Sequence, residues 1–251
     1  MKALVTGGAG FVGTNLIKRL LKDGYEVASL DNYSTGFREN QLADCTYITL
    51  NITEQFDNWV EKFDVIFHMA ALPRIGPSFE NPTEVVDVNV KGTANVLEYA
   101  RKTKTPVIYA GSSSFWGGVY KNPYTFSKWQ GEELCKMYEM IYGLNVTICR
   151  FYNVYGDFMP TEGEYRTVLP IFLEQYKNGE PVTVTGDGEQ RRDMANREDV
   201  VSANIFAMEH DGNFNGQHFD VGTGDNVSLN EMKEIVLEHL RSEERRVRKE
   251  V

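Results

Sequence analysis

The 251-residue sequence predicts an α/β fold, a doubly wound parallel sheet with a small C-terminal lobe. Short apolar and β-branched runs alternate with longer amphipathic stretches over the first half of the chain. Alternation of this kind is typical of βαβ units, whose strands pair in parallel. A second observation is that the first of these runs leads directly into a glycine-rich turn that opens a helix. The chain is long enough to bury one sizeable core.

The elements follow in order along the chain. The predicted strands are Ala3–Thr6, Glu26–Leu30, Tyr47–Leu50, Asp64–His68, Pro106–Ala110 and Asn145–Arg150. The predicted helices are Phe11–Lys22, Pro82–Arg101 and a long helix that begins near Pro123. Proline in the first turn of a helix costs no hydrogen bond, because the N–H groups there have no partner within the helix.

After Gly156 the pattern loosens into connections rich in glycine, proline and aspartate, such as residues 178–181 and 185–188. We therefore predict a core over residues 1–156 and a small lobe over residues 157–251. Elements within about residues 197–222 are expected to return to the core. The highly charged stretch 241–251 is interpreted as a solvated helix end or a frayed tail.

Composition excludes several classes of function. The chain has 26 Lys and Arg against 36 Asp and Glu, a formal charge of −10, which argues against a general binder of nucleic-acid backbones. No run approaches the roughly 20 apolar residues of a membrane span, and Met1 leads directly into a strand rather than a signal peptide. A cytoplasmic protein is expected. The three cysteines are interpreted as buried thiols, and their spacing from the four histidines predicts no metal site.

The glycine-rich turn over residues 6–13 reads TGGAGFVG. Gly7, Gly10 and Gly13 permit a tight turn, a close approach of the backbone to a pyrophosphate, and close packing of helix on strand. The N-terminus of the helix offers unpaired N–H groups and partial positive charge to phosphates. Because the turn lies between a strand and a helix, the pattern predicts a dinucleotide site on a sheet of the Rossmann type.

Asp31 ends the second predicted strand. A carboxylate at this place accepts hydrogen bonds from both hydroxyls of an adenosine ribose and repels a 2′-phosphate, which indicates NAD rather than NADP. Asp31 and Asn32 are also typical of an ordinary turn. The glycine turn upstream favours the ligand interpretation.

Tyr124 and Lys128 are four residues apart on the long predicted helix and therefore share a face. Ser112 stands at the end of the preceding strand. An ammonium beside a phenol favours the phenolate, so we expect Lys128 to lower the pKa of Tyr124 and make it a base near neutral pH. Without the glycine turn upstream, Tyr124 and Lys128 would be interpreted as part of an exposed helix face. The three serines 112–114 would be interpreted as the polar end of a strand.

The chain resembles the extended short-chain dehydrogenase/reductase family, and within it the NAD-dependent nucleotide-sugar epimerases of the UDP-glucose 4-epimerase type. The resemblance covers nearly the whole chain. It rests on TGGAGFVG at 6–13, DNYSTG at 31–36, HMAA at 68–71, NVKGT at 89–93, YTFSK at 124–128, RFYNVYG at 150–156 and GDGEQRRD at 186–193.

The resemblance implies a cofactor site for NAD with four parts. The pyrophosphate would lie on Gly7, Gly10, Phe11, Val12 and Gly13, the adenosine ribose on Asp31, Asn32, Ser34 and Gly36, the adenine beside Asn51 and Ile52, and the route to the nicotinamide along Ala70, Ala71, Asn89, Tyr124 and Lys128.

The resemblance also implies the catalytic and substrate residues. Ser112 and Tyr124 match the catalytic Ser/Thr and Tyr, with Lys128 beside them. Asn153 matches a contact to the sugar nucleotide, and Arg192 an arginine on its diphosphate. Without the resemblance, Arg192 would be a solvated charge. The helices after Pro82 and Pro123 match those of a four-helix interface in relatives, which implies a homodimer, although Val96, Leu97, Leu134 and Met137 fit an ordinary core equally well.

The reaction is read from the residues after Ser112. Related 4,6-dehydratases have an Asp-Glu pair there and related decarboxylases a Glu, whereas this chain has Ser113 and Ser114. The resemblance therefore implies epimerisation at C4 of a UDP-hexose or its N-acetylated form through a 4-keto sugar. A nucleotide-sugar dehydratase, decarboxylase or reductase and a non-catalytic NAD-binding protein remain as alternatives. Relatives continue beyond the point where this chain ends, so a shortened C-terminal lobe is expected.

Overall fold

The structure is a computed structural model that describes residues 1–56, 61–210, 214 and 216–250. The strands in this part of the chain are β1 (Lys2–Thr6), β2 (Glu26–Asp31), β3 (Cys45–Thr49), β4 (Val65–His68), β5 (Val107–Ser112), β6 (Val146–Phe151), β7 (Asn153–Tyr155), β8 (Arg191–Arg192), β9 (Met194–Asn196), β10 (His218–Val221) and β11 (Val227–Ser228). The helices are α1 (Phe11–Lys22), α2 (Ile75–Glu80), α3 (Pro82–Val86), α4 (Thr93–Thr103), α5 (Pro123–Tyr142), α6 (Val168–Lys177), α7 (Arg197–Glu209) and α8 (Leu229–Glu250).

Seven strands form one parallel sheet in the order β10-β6-β5-β4-β1-β2-β3. The chain moves outward from β1 to β3 and then returns to β4 on the other side of β1. A crevice therefore opens at the carboxyl ends of β1 and β4, where doubly wound sheets bind their ligands. The predicted fold class is confirmed, and the predicted strands differ from the observed ones by one or two residues at their ends.

Helices cover both faces of the sheet and bury two apolar clusters. On one face Leu16 and Leu20 of α1 pack with Val200 and Ile205 of α7. On the other, side chains of α4 and α5 pack with the central strands; these are Val96, Leu97, Tyr99, Ala100 and Cys135. Cys45, Cys135 and Cys149 are free and buried thiols. No helix of the described chain is long and apolar enough to cross a membrane.

The predicted helix over residues 82–101 is interrupted. Between α3 and α4 the backbone forms a π-helical turn, Asp87–Gly92. π turns re-aim side chains within a helix and occur often at functional sites. Here the turn contains the buried Asn89, and its last residue, Gly92, lies so close to Ile52 that a Cβ would approach that side chain to 2.7 Å.

After β7 the chain alternates between short excursions and the main sheet. α7 packs on the sheet, and β10 pairs with β6 at its edge. The excursions include α6, the antiparallel pair of β8 with β11, and α8. The division into a core and a lobe at residue 156 remains a prediction.

His68 is a buried link between β1 and α4. Its Nδ1 lies 2.7 Å from Thr6 Oγ1 and its Nε2 3.0 Å from Thr93 Oγ1. Burial lowers the pKa of His68 to about 3, and the charge of Lys128 acts in the same direction. His68 is therefore neutral in the folded protein at physiological pH.

The depressed pKa of His68 predicts a loss of stability in mild acid. Below pH about 6.5 the His68 imidazole is protonated in the unfolded chain but stays neutral in the folded one. Between about pH 6.5 and pH 3 the free energy of unfolding therefore falls by up to about 1.4 kcal/mol for each pH unit. Urea unfolding at several pH values measures this slope. His68→Asn is expected to reduce it, and His239→Asn, at an exposed site on α8, is expected to leave it unchanged. Equal slopes in all three proteins would contradict the assignment.

Candidate active site

A cavity of about 870 Å³ occupies the crevice at the carboxyl ends of the parallel strands. Its wall contains the glycine turn at one end and Ser112 and Tyr124 at the other. The predicted residues that line it are Gly7, Gly10, Phe11, Val12, Gly13, Asp31, Asn32, Ser34, Gly36, Asn51, Ile52, Ala70, Ala71, Ser112, Tyr124, Lys128, Asn153 and Arg192. The fold thus brings into one cavity residues that are far apart in the sequence.

The glycine turn forms a cradle that side chains would fill. Gly7 has φ +71°, and a Cβ on it would lie 2.8 Å from the backbone of Ala70. A Cβ on Gly13 would lie 2.2 Å from the Gly7 carbonyl oxygen. α1 begins at Phe11, and no capping side chain accepts a hydrogen bond from its first N–H groups. These N–H groups and the helix dipole suit a diphosphate, so the turn fits a dinucleotide.

Asp31 connects the glycine turn to the segment that follows β2. Its carboxylate accepts hydrogen bonds from the backbone N–H of Ala9 (2.9 Å) and of Tyr33 (2.8 Å). Asn32 accepts in the same way from the backbone and hydroxyl of Ser34. A Cβ on Gly36 would crowd Ala9, so this position requires glycine for close packing. The carboxylate is thereby oriented at the cavity wall, where a ribose would lie.

Asn89 lies behind the cavity wall, contrary to its expected place along the route to the nicotinamide. Its side-chain oxygen accepts from the Leu72 N–H at 2.8 Å, and its side-chain nitrogen donates to the Leu72 carbonyl and to Ser127 Oγ. The π-helical turn aims it there. Asn89 therefore fixes the segment after β4, which contains Ala70 and Ala71, against α5.

Ser112 and Tyr124 lie close together at the reactive end of the cavity. The Tyr124 hydroxyl donates to Ser112 Oγ at 3.3 Å. α5 begins at Pro123, and Asn122 caps it by accepting from the N–H of Thr125. This capped start fixes Tyr124 in the first turn, with the buried Lys128 one turn further on.

The expected effect of Lys128 on the pKa of Tyr124 stays a prediction. Burial raises the pKa of Tyr124, and the influences that oppose this are its hydrogen bond with Ser112 and the charge of Arg74. The ammonium of Lys128 lies 4.3 Å from the centre of the Tyr109 ring. Burial lowers the pKa of Lys128 to about 8, although Glu132 acts against the change. The four-residue spacing on α5 could not predict the contact between Lys128 and Tyr109, because Tyr109 belongs to a different element, β5.

Arg74 is a cavity residue that the sequence analysis missed. Its Nε and Nη2 donate to the carbonyl of Tyr165 at 3.1 and 2.7 Å, which holds the half-buried guanidinium in place. The backbone of Arg74 has φ +102°, an unfavourable value for a residue other than glycine. No local motif marks this position. The surrounding fold holds Arg74 in a strained backbone conformation, and its positive charge lowers the pKa of Tyr124.

Replacing Arg74 with methionine is expected to raise the pKa of Tyr124, because the guanidinium charge favours the phenolate. Arg74→Lys keeps a charge and is expected to shift the pKa less. The absorbance of the phenolate, measured against the same variant with Tyr124→Phe, reports this ionisation. An unchanged Tyr124 titration in Arg74→Met would show that the guanidinium does not influence the phenol.

The predicted substrate-side residues, Asn153 and Arg192, also line the cavity. Asn153 donates to the carbonyl of Asp193 at 3.0 Å, and Arg192 is exposed and reaches the carbonyl of Arg191. Thr167, just before α6, has a buried hydroxyl without a hydrogen-bond partner and was also missed. Buried polar groups are normally paired, so this hydroxyl suits a polar ligand. Ser113 and Ser114 line the cavity beside Ser112.

No group of histidine, cysteine and acidic side chains suited to a metal ion occurs within the described residues. The sequence over residues 3–222 matches the model of the NAD dependent epimerase/dehydratase family. The chain belongs to this family. Its cofactor is NAD, as the glycine turn and Asp31 predicted.

Known relatives include enzymes with different reactions. The chain is 34% identical over 252 residues to a putative UDP-glucose 4-epimerase of Methanocaldococcus jannaschii, covering 93% of this chain and 80% of that protein. It is 32% identical over 257 residues to a UDP-N-acetyl-alpha-D-glucosaminuronate decarboxylase of Bacillus cytotoxicus, covering 94% and 79%.

Among solved structures, the UDP-glucose 4-epimerase of Thermus thermophilus in complex with NAD superposes with a TM-score of 0.85 at 30% identity, covering 95% of this chain and 83% of that one. The family member described here is therefore an enzyme of the nucleotide-sugar epimerase/dehydratase type.

Proposed function

We propose that the protein is an NAD-dependent 4-epimerase of a nucleoside diphosphate hexose of the UDP-glucose or UDP-N-acetylglucosamine type. The observation that carries this proposal is the pairing of Tyr124 with Ser112 beside Ser113 and Ser114, a reactive end with hydroxyls where elimination and decarboxylation need a carboxylate. Similarity to a putative UDP-glucose 4-epimerase supports it.

In this proposal the residues that line the cavity from the glycine turn to Lys128 would hold the cofactor. Gly7, Gly10 and Gly13 leave room for the pyrophosphate, and Asp31 accepts from the adenosine ribose, as its orientation toward the cavity favours. Bound NAD supplies a reversible hydride acceptor at C4 of the sugar. Lys128 adds a charge near the nicotinamide end, where its pKa of about 8 leaves it largely protonated at neutral pH.

The protein's own residues then manage the proton of the 4-hydroxyl. Tyr124, as the phenolate, accepts this proton, and Ser112 donates a hydrogen bond to the same oxygen. Arg74 favours the phenolate by its charge. The sugar would turn about its diphosphate, held by Arg192 and Asn153, and Tyr124 would then return the proton to the oxygen at C4. Sugar, base and cofactor end the cycle as they began, except for the configuration at C4.

A second candidate is a decarboxylase or another enzyme that acts on a hexuronate. Similarity to a UDP-N-acetyl-alpha-D-glucosaminuronate decarboxylase favours it, and so does the positive charge of Arg74 at the reactive end, which suits a carboxylate on the sugar. A reductase, a dehydratase or a non-catalytic NAD-binding protein would each give a different product pattern in the same assay.

The assay incubates the purified protein and NAD with UDP-glucose, UDP-N-acetylglucosamine and UDP-glucuronate separately, and follows products by NMR and NADH by absorbance. We expect a 4-epimer without net NADH. A product that has lost water or carbon dioxide would favour the second candidate or a dehydratase, and net consumption of cofactor would indicate a reductase or dehydrogenase. NAD binding without turnover would favour the non-catalytic alternative.

A homodimer is also proposed. Val96 and Leu97 are fully buried in the core and unavailable to a partner, but α5 exposes Met140 (80%) and Ile141 (61%) near its C-terminal end. Exposed apolar residues grouped on one helix mark interaction surfaces. Sedimentation velocity is expected to show a dimer that Met140→Glu dissociates, and a concentration-independent monomer would contradict this proposal.

A further inference from the structure

Three hydroxyl groups form a chain at the reactive end of the cavity. Tyr124 OH lies 3.3 Å from Ser112 Oγ, and Ser112 Oγ lies 2.9 Å from Ser114 Oγ. The backbone N–H of Ser114 also donates to Ser112 Oγ, at 3.3 Å. Ser114 lines the cavity and follows Ser112 in a tight 3₁₀ turn, Ser113–Gly117.

The possible hydrogen bonds of Ser112 decide where its proton points. A hydroxyl has one proton and two acceptor positions. When Tyr124 is protonated, its O–H and the N–H of Ser114 occupy both acceptor positions of Ser112, and the Ser112 proton points to Ser114 Oγ. When Tyr124 is a phenolate, Ser112 donates to it or to the substrate oxygen, and Ser114 donates to Ser112 in return.

The 3₁₀ turn that contains Ser114 is anchored by contacts of its two aromatic residues, Phe115 and Trp116. The ring of Phe115 lies 3.9 Å from the guanidinium carbon of Arg150, which is buried and paired with the carboxylate of Glu132. Trp116 donates from its indole nitrogen to Asp220 at 3.1 Å. Both contacts hold the turn against the sheet, so the distance between Ser112 and Ser114 is set by the fold.

We propose that Ser114 is a positioning residue for the reaction, the last hydroxyl of a chain that lets Ser112 reverse its proton as Tyr124 changes between phenol and phenolate. The proposal rests on the proposed function, in which Tyr124 is the base. The Ser114 hydroxyl orients the proton of Ser112 without adding a carboxylic acid to the site.

The test compares Ser114→Ala and Ser114→Thr with Ser202→Ala, a control at an exposed serine on α7. Loss of one hydrogen bond in the chain is expected to lower kcat about fivefold to tenfold, with KM for UDP-glucose and the Kd for NAD within about twofold. Ser114→Thr is expected to restore kcat, because it restores the hydroxyl. The ascending limb of the pH–rate profile is expected to move to higher pH in Ser114→Ala alone.

Equal kcat and pH profiles in Ser114→Ala and Ser202→Ala would overturn the proposal, and so would a loss that Ser114→Thr fails to restore. A protein without turnover on any substrate offered would contradict the proposed function instead. In that event the absorbance titration of Tyr124 with NAD bound still tests the inference. A Tyr124 pKa that is higher in Ser114→Ala than in wild type supports it, and an unchanged pKa overturns it.

Discussion

Replacing Tyr124 with phenylalanine is expected to lower kcat by roughly a hundredfold to ten-thousandfold, the usual contribution of a positioned acid–base group. The phenol is the group at the reactive end that is paired with Ser112 and influenced by Arg74. Phenylalanine keeps the ring and removes the proton acceptor, so NAD affinity and thermal stability are expected to stay near wild type. Single-turnover kinetics with UDP-glucose measures the loss.

Tyr120→Phe is the matched control for this experiment. The Tyr120 side chain is 81% exposed and packs its ring near Phe126 and Trp129, outside the cavity. We expect its kcat to match the wild type. If Tyr124→Phe retained most of the activity, another group would have to accept the proton, and the proposed mechanism would be wrong.

Replacing Gly13 with alanine is expected to abolish measurable NAD binding and to destabilise the fold by about 1–3 kcal/mol. A Cβ there would lie 2.2 Å from the Gly7 carbonyl oxygen and 2.8 Å from Gly8 Cα. Both contacts are to backbone, which cannot rotate away as a side chain can. α1 and the glycine turn would have to separate, and the first N–H groups of α1 would leave the pyrophosphate.

Gly76→Ala is the control, since a Cβ on Gly76 meets no atom within 4 Å. Isothermal titration with NAD and thermal unfolding measure both effects. An NAD affinity for Gly13→Ala within a few-fold of the control would contradict the assignment of the turn.

Local features of the chain were predicted well from sequence. The glycine turn, Asp31 at the end of β2, and Tyr124 with Lys128 on α5 each depend on short-range geometry: a turn between strand and helix, a strand end, or a four-residue helical spacing. Such geometry is fixed by neighbours in the sequence. The family match over residues 3–222 agrees with these motifs.

Features that depend on distant contacts were missed or misplaced. Arg74 belongs to the site because Tyr165, far along the chain, accepts its hydrogen bonds. Asn89 leaves the cavity wall because a π-helical turn redirects it onto Leu72. Lys128 lies over the ring of Tyr109 on β5, a contact between helix and strand that the four-residue spacing on α5 does not reveal. Periodicity and spacing contain no information on these contacts.

The most direct test of the central claim follows the hydrogen at C4. UDP-glucose labelled with deuterium at C4 is incubated with the enzyme and NAD in ordinary water, and the products are examined by NMR and mass spectrometry. The account predicts UDP-galactose that retains the deuterium at C4, because a hydride that leaves this carbon and returns to it does not exchange with solvent. Loss of the label to water, a product lighter by water, or no 4-epimer from either UDP-glucose or the correspondingly labelled UDP-N-acetylglucosamine despite NAD binding would contradict it.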